Sequence, residues 1–270
     1  MSSEAMQAAK STARPTAKQQ APTLIMLHGL LGDRHDWAAV KAGLEDIDCL
    51  ALDLPGHGEN HHVQVGAFEA FHHWLSDTLM ARGIHRYCLL GYSLGGRLAL
   101  YHASRQPAGL EALWLESAHP GLPARERPAR IAHDERWAIR FEQEPLENVL
   151  TDWYQQPVFA DLTEAQRSRQ IHRRLGANHG AAVAKMLRAT SLGQQPSLWQ
   201  WLEHTALPVS YFSGLRDAKF HALATRLAVE AQSLRHITLS GGHNLHAEQP
   251  TAFSRELNAW YRARITSLVC

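Results

Sequence analysis

Six short apolar runs alternate with stretches of helical periodicity through most of this chain, and no other feature restricts its fold so strongly. The runs are TLIML (23–27), IDCLALDL (47–54), RYCLLGY (86–92), LEALWLE (110–116), PVSYFSG (208–214) and RHITLS (235–240). Near-continuous hydrophobic segments of this length suit strands buried on both faces. Between them, residues 34–45, 66–82, 94–106, 219–232 and 249–264 place apolar side chains at helical spacing. Strand alternating with helix requires crossover connections, and so predicts an α/β fold: a mostly parallel sheet covered by helices on both faces.

Two segments stand outside that alternation. Residues 1–20 are rich in Ala, Ser, Thr, Gln and Lys; they lack the apolar groups needed to offset their ordering entropy and are expected to form a flexible tail. Residues 119–204 contain helical patterns but no convincing strand, which predicts a helical cap inserted into a core made of 21–118 and 205–270. The cap holds 10 of the 22 arginines but a single lysine, Lys185. Its ten acidic residues account for most of these as a solvated, salt-bridged surface. The preference for Arg is still informative, because the planar guanidinium matches a carboxylate bidentately.

Composition narrows the partners. Lys+Arg 27 against Asp+Glu 26 gives a net charge of +1, which provides no field to hold nucleic acid or an acidic membrane, so a small-molecule partner is expected. No apolar run is long enough for a spanning helix, and the first residues lack the apolar centre of a signal peptide, which predicts a cytoplasmic protein. Cys49, Cys88 and Cys270 are odd in number and widely spaced, as suits a reducing compartment. His57, His61 and His62 cluster among the 18 histidines, yet no HExxH or CxxC spacing accompanies them, and no metal is expected.

The strongest chemical signal is Gly91-Tyr92-Ser93-Leu94-Gly95-Gly96, directly after one strand-like run and before a helical one. Glycines two positions either side of a serine relieve crowding at a strained strand-to-helix turn and present its hydroxyl at a helix N-terminus. That hydroxyl needs a base, and the base an orienting carboxylate. Asp217 follows PVSYFSG, and His243 follows RHITLS in the loop Gly241-Gly242-His243-Asn244. Asp53, before Leu-Pro-Gly-His-Gly, and His246, three residues past His243, are competitors for these roles. An oxyanion hole would use the backbone N–H of Leu94 and that of Leu30 in the His28-Gly29-Leu30 loop, with His28 a structural loop residue.

The order Ser, Asp, His on successive strand ends resembles the α/β-hydrolase superfamily over everything after residue 22. A closer resemblance rests on GYSLGGR, HPGL (119–122), DWYQQPVFA (152–160), ATSLGQQP (189–196), RDAKF (216–220) and GHNLH (242–246). It is to the 2-succinyl-6-hydroxy-2,4-cyclohexadiene-1-carboxylate synthases of menaquinone (vitamin K2) biosynthesis. That resemblance implies a lyase that eliminates pyruvate from 2-succinyl-5-enolpyruvyl-6-hydroxy-3-cyclohexene-1-carboxylate without cofactor or metal, Ser93 acting with His243 as a base rather than as an acyl carrier. It further implies that Arg97, Arg130 and Arg174, with Arg173 adjacent, bind the substrate carboxylates, and that Tyr92 and Trp153 line the pocket. Arginines kept for a ligand would lack internal partners. The polar tail and the missing antiparallel hairpin depart from the pattern. A serine hydrolase of esters or C–C bonds, or a non-catalytic small-ligand receptor, would use the same scaffold.

Overall fold

The computed structural model describes residues 21–269, with side chains placed through Ala263. The expected tail at 1–20 lies outside the described residues. Six strands, β1 (Thr23–Leu27), β2 (Cys49–Leu52), β3 (Tyr87–Tyr92), β4 (Leu110–Glu116), β5 (Val209–Gly214) and β6 (Leu234–Leu239), form one sheet in the order β2-β1-β3-β4-β5-β6. Every pairing is parallel. Each apolar run of the sequence therefore became a strand, unchanged or altered by at most two residues at an end.

Alternate residues of the central strands serve opposite faces, as a period of two requires. Ile25, Leu27, Leu89, Leu113, Leu115 and Tyr211 pack on one side. There they meet α2 (Phe68–Ala81) and α3 (Leu94–Ser104) through Phe71, Leu75 and Leu98. Leu24, Met26, Leu90, Trp114 and Phe212 face the other side with Trp37, Val40, Phe253 and Leu257. Val40 belongs to the short α1 (Ala38–Ala42), and the last two to the C-terminal helix Pro250–Val269. The edge strand β6 exposes Arg235 and Thr238.

Between β4 and β5 lie α4 (Arg127–Gln143), α5 (Leu146–Trp153), α6 (Glu164–Ala177), α7 (Gly180–Ala189) and α8 (Trp199–His204). The first four bury a cluster of their own, with Phe141, Val149, Leu150 and Val183 fully or nearly fully covered. α8 differs: its Leu202 joins the main core, where α8 meets the helix Ala218–Glu230. The sheet reverses its direction of growth between β1 and β3, and in open α/β sheets ligands bind in the crevice beyond the strand ends at such a switch.

Candidate active site

At that crevice β3 runs into α3 through Ser93, whose φ of 50° and ψ of −107° lie outside the ordinary regions for an L-residue. Such strain persists only where surrounding structure imposes it. Here a Cβ on Gly91 would come within 2.4 Å of the Gly95 carbonyl oxygen, and one on Gly95 within 2.4 Å of the Leu27 and His28 oxygens. Glycine at both positions lets the elbow close against the end of β1. The Ser93 N–H donates to the Glu116 carbonyl at 2.9 Å, pinning the turn to β4.

Asp217 follows β5 and caps α9 (Ala218–Glu230), one oxygen accepting the Phe220 N–H at 3.3 Å. Its other oxygen accepts Nδ1–H of His243 at 2.6 Å, with both side chains 8% exposed. This arrangement selects the tautomer that leaves Nε2 without its proton and able to accept one. Ser117 donates its hydroxyl to the His243 carbonyl at 3.0 Å, and the Tyr92 and Phe220 rings flank the imidazole at 5.5 and 4.9 Å. The end of β4 thus holds the serine turn by one residue and the histidine loop by the next.

The loop after β1 faces the same elbow. A Cβ on Gly29 would meet the Tyr92 ring at 2.7 Å and Ser93 Cβ at 3.6 Å, so Leu30 follows a residue in contact with the serine. Two buried imidazoles shape this loop. His28 donates from Nδ1 to the Gly29 carbonyl and accepts the Leu54 N–H, while His57 donates to the Pro55 carbonyl and accepts the Leu31 N–H. Burial holds His57 neutral, with its pKa lowered to about 3. His57 is thus consumed by structure, and the His61 ring lies tilted against that of His179 at 4.3 Å. Among the described residues no group of three His, Cys, Asp or Glu side chains is arranged to hold a metal ion.

The competitors have other employment. Asp53 accepts the N–H groups of Arg34 and Glu59 and organises a turn. His246 gives both its backbone N–H and its Nδ1–H to Glu116, at 3.1 and 2.8 Å, with both side chains fully covered. It sits in the short α10 (Leu245–Glu248). Sequence reading passed over Glu116, although an acid ending the apolar run LEALWLE was the available sign of a buried partner.

The arginines divide. Arg97, one turn into α3, donates to the Thr190 carbonyl at 2.7 Å and to Gln195, with the Phe68 ring at 5.9 Å. Among the described residues it has no carboxylate in ion-pair range, and burial, reinforced by Arg130, lowers its guanidinium to about 9. Arg130 pairs with Asp134 at 2.8 Å. Arg174 corrects an expectation: it is 5% exposed and grips Asp36 bidentately at 2.9 and 3.0 Å, so it has an internal partner. Arg173 also pairs with Asp36, at 2.8 Å. Trp153 lies in edge-to-face contact with Trp137 at 5.0 Å, within the apolar cluster of α4–α7.

A strained serine turn and a buried carboxylate–histidine pair at the ends of a parallel sheet describe an α/β-hydrolase-type enzyme, and the alpha/beta hydrolase fold family matches residues 22–250. The chain belongs to that family. More narrowly, it is 45% identical over 92% of its length to the 2-succinyl-6-hydroxy-2,4-cyclohexadiene-1-carboxylate synthase of Enterobacter sp. (strain 638), covering 94% of that relative. It is also 45% identical to the synthase of the same name from Pectobacterium atrosepticum, over 88% of this chain and 93% of the other. By identity and coverage it falls within the family of these synthases. Among solved structures, MenH from S. aureus superimposes with a TM-score of 0.81 at 27% identity, covering 91% of this chain and 94% of that one. A thermophilic esterase from Thermogutta terrifontis shares the fold, with a TM-score of 0.75 at 20% identity over 90% of each chain.

Proposed function

We propose that this enzyme converts 2-succinyl-5-enolpyruvyl-6-hydroxy-3-cyclohexene-1-carboxylate to 2-succinyl-6-hydroxy-2,4-cyclohexadiene-1-carboxylate and pyruvate in menaquinone biosynthesis. The carrying observation is Arg97, a half-buried cation with no carboxylate partner among the described residues, one helical turn from the serine. An uncompensated buried charge is costly unless a ligand neutralises it, and the substrate named carries three carboxylates.

His243, oriented by Asp217, accepts the Ser93 proton, and the serine oxygen removes the ring proton α to the succinyl carbonyl. The N–H groups of Leu30 and Leu94 stabilise the oxygen on which charge develops. The released electron pair forms one ring double bond, displaces the existing one, and breaks the C–O bond to the enolpyruvyl group. Pyruvate leaves as its enolate, which takes up a proton. No acyl-enzyme is required.

In this reading α4–α7 serve as the cap and Arg130 supplies a second carboxylate contact, with Tyr92 and Trp153 at the walls. A cytosolic location belongs to the same proposal, supported by Cys49 and Cys88, which are thiols rather than a disulfide. Among the described residues no helix is long and apolar enough to cross a membrane. The deciding experiment compares pyruvate release from the enolpyruvyl substrate with hydrolysis of a p-nitrophenyl ester. Rapid pyruvate release without a substrate-derived mass on the Ser93 peptide is expected; ester turnover alone would assign a hydrolase.

The two arginines should respond oppositely. Arg97→Ala is expected to lower kcat/KM by about 30-fold or more while leaving Tm close to wild type, with Lys restoring only part of the loss. Arg174→Ala leaves Asp36 buried and is expected to cost about 3 to 5 kcal/mol of stability. Thermal denaturation beside steady-state kinetics reads both; equal Tm values for the two variants would refute the division.

A further inference from the structure

Arg174 is spent on buried Asp36 and Arg130 also faces Asp134, so fewer than three of the expected arginines are free for a substrate with three carboxylates. The remaining cation near the triad is Lys219, in the first turn of α9 and two residues past Asp217. Its ammonium stands 5.4 Å from the centre of the Phe220 ring, and that ring lies 4.9 Å from the His243 imidazole. This places the charge at the rim of the site.

The position is electrostatically unfavourable in the protein alone. The first turn of a helix carries the positive end of its dipole and disfavours a cation. Although the side chain is exposed, loss of hydration against the protein surface, and after it repulsion from Arg130, holds the ammonium below the ordinary lysine range. Asp217 and Glu126 attract it, but Asp217 is spent on His243 and the Phe220 N–H, while Glu126 faces Arg125 at 3.6 Å. Among the described residues Lys219 forms no ion pair. His119 reports the same local field, its pKa lowered to about 4 by burial and then by Lys219, Arg97 and Arg130 in turn. His119 therefore stands in the field of three cations, with Asp134 paired to Arg130 and Asp217 and Glu126 attracting Lys219.

We propose that Lys219 is a substrate-binding residue, its ammonium pairing with a carboxylate of the polycarboxylate substrate beside Arg97 and Arg130. The inference rests on the lyase reading above. An ammonium at a half-open rim, against a flat aromatic, suits the mobile end of the substrate, whereas Arg97 suits a fixed one. Lysine's four-carbon stem lets the charge follow such a group as it enters.

Steady-state kinetics on full-length wild type, Lys219→Gln and Lys219→Arg test this. With the enolpyruvyl substrate, Lys219→Gln is expected to raise KM by about 10-fold, the effect falling on KM rather than kcat. Lys219→Arg should recover most of it, and added salt should weaken wild type more than Lys219→Gln. Unchanged KM, or a loss in kcat with lowered Tm, would overturn the assignment. Should wild type release no pyruvate, the lyase reading fails, and Lys219 is then judged by calorimetric titration with tricarballylate. Weaker binding by Lys219→Gln sustains the anion-binding role; equal binding, or none by either protein, overturns it.

Discussion

Ser93→Ala and His243→Ala are each expected to lower kcat for pyruvate release by about 10³-fold or more, as removal of triad members does in other enzymes. His243 is the base assigned to the serine hydroxyl in the proposed mechanism, and Asp217 orients its imidazole at 2.6 Å. Asp217→Asn should also be severe, because an amide can orient the ring with the wrong nitrogen protonated. It should fold normally, since asparagine caps a helix as well as aspartate and can keep the bond from the Phe220 N–H. Circular dichroism establishes that each variant is folded, and stopped-flow or coupled assays give the rate. Near-normal turnover of any one of them would remove that residue from the mechanism. The expected effects are not additive, because the three groups act as a unit, and a double variant should be little slower than the worse single one.

Acidification to pH 5 should remove about 6 kcal/mol of folding stability through three histidines. Burial is the leading cause that lowers His57 to about 3, His102 to about 3 and His119 to about 4, against 6.5 in the unfolded chain. Between pH 6.5 and those values the unfolded state binds protons that the folded state refuses, so stability present above pH 6.5 is lost as pH falls. Each group contributes about 2 kcal/mol at pH 5. His28 is lowered by burial too and acts in the same direction. Ordinary carboxylates titrate lower, so the decline from pH 6.5 to 5 isolates the histidines. Chemical denaturation at a series of pH values should show an uptake of about three protons on unfolding near pH 5. A flat stability profile across this interval would mean that these imidazoles are charged or solvent-connected. His102 accepts or donates within a chain formed by His72 and the Tyr87 hydroxyl, at 2.9 and 2.8 Å. A His102→Gln variant should therefore reduce the uptake by one proton without emptying the site.

What could be read from residues alone was what depends on local pattern. The strands at 23–27 and 110–116 coincide with their apolar runs because central strands are covered on both faces and need mostly hydrophobic side chains, Thr23, Glu111 and Glu116 lying toward their ends. The serine turn was equally legible, since Gly91 and Gly95 answer to contacts within a few residues and to the neighbouring β1 end. Asp217 and His243 followed from strand ends. The arginines were harder, because their state depends on distant partners: Asp36 is 138 residues from Arg174. Nothing in the spacing near Arg174 reveals that aspartate, whereas Arg97 donates to the Thr190 carbonyl and Gln195 and, among the described residues, meets no carboxylate. Glu116 illustrates the same limit, meeting His246 across 130 residues. The expected cap of 119–204 takes in α8, whose Leu202 packs on the main core, because a short helix lies on whichever apolar surface the fold brings near.

The insertion of α4–α8 between β4 and β5 has a consequence for how this enzyme can change. Residues 117–208 form a closed excursion whose two ends are adjacent strands of the sheet. Closing a flexible loop costs only about 0.6 kcal/mol more for each doubling of its length. The strands that carry Asp217 and His243 are therefore nearly indifferent to how much chain precedes them, and the excursion can lengthen, shorten or be rebuilt while the carboxylate–histidine pair keeps its register. Kinetics bear the cost instead. The serine turn is encoded entirely before the excursion and its partners entirely after it, so pairing β4 with β5 is a long-range event of the kind that slows folding. An architecture that leaves substrate choice open to replacement is thus also one in which the reactive groups are brought together by some of the most distant contacts in the chain.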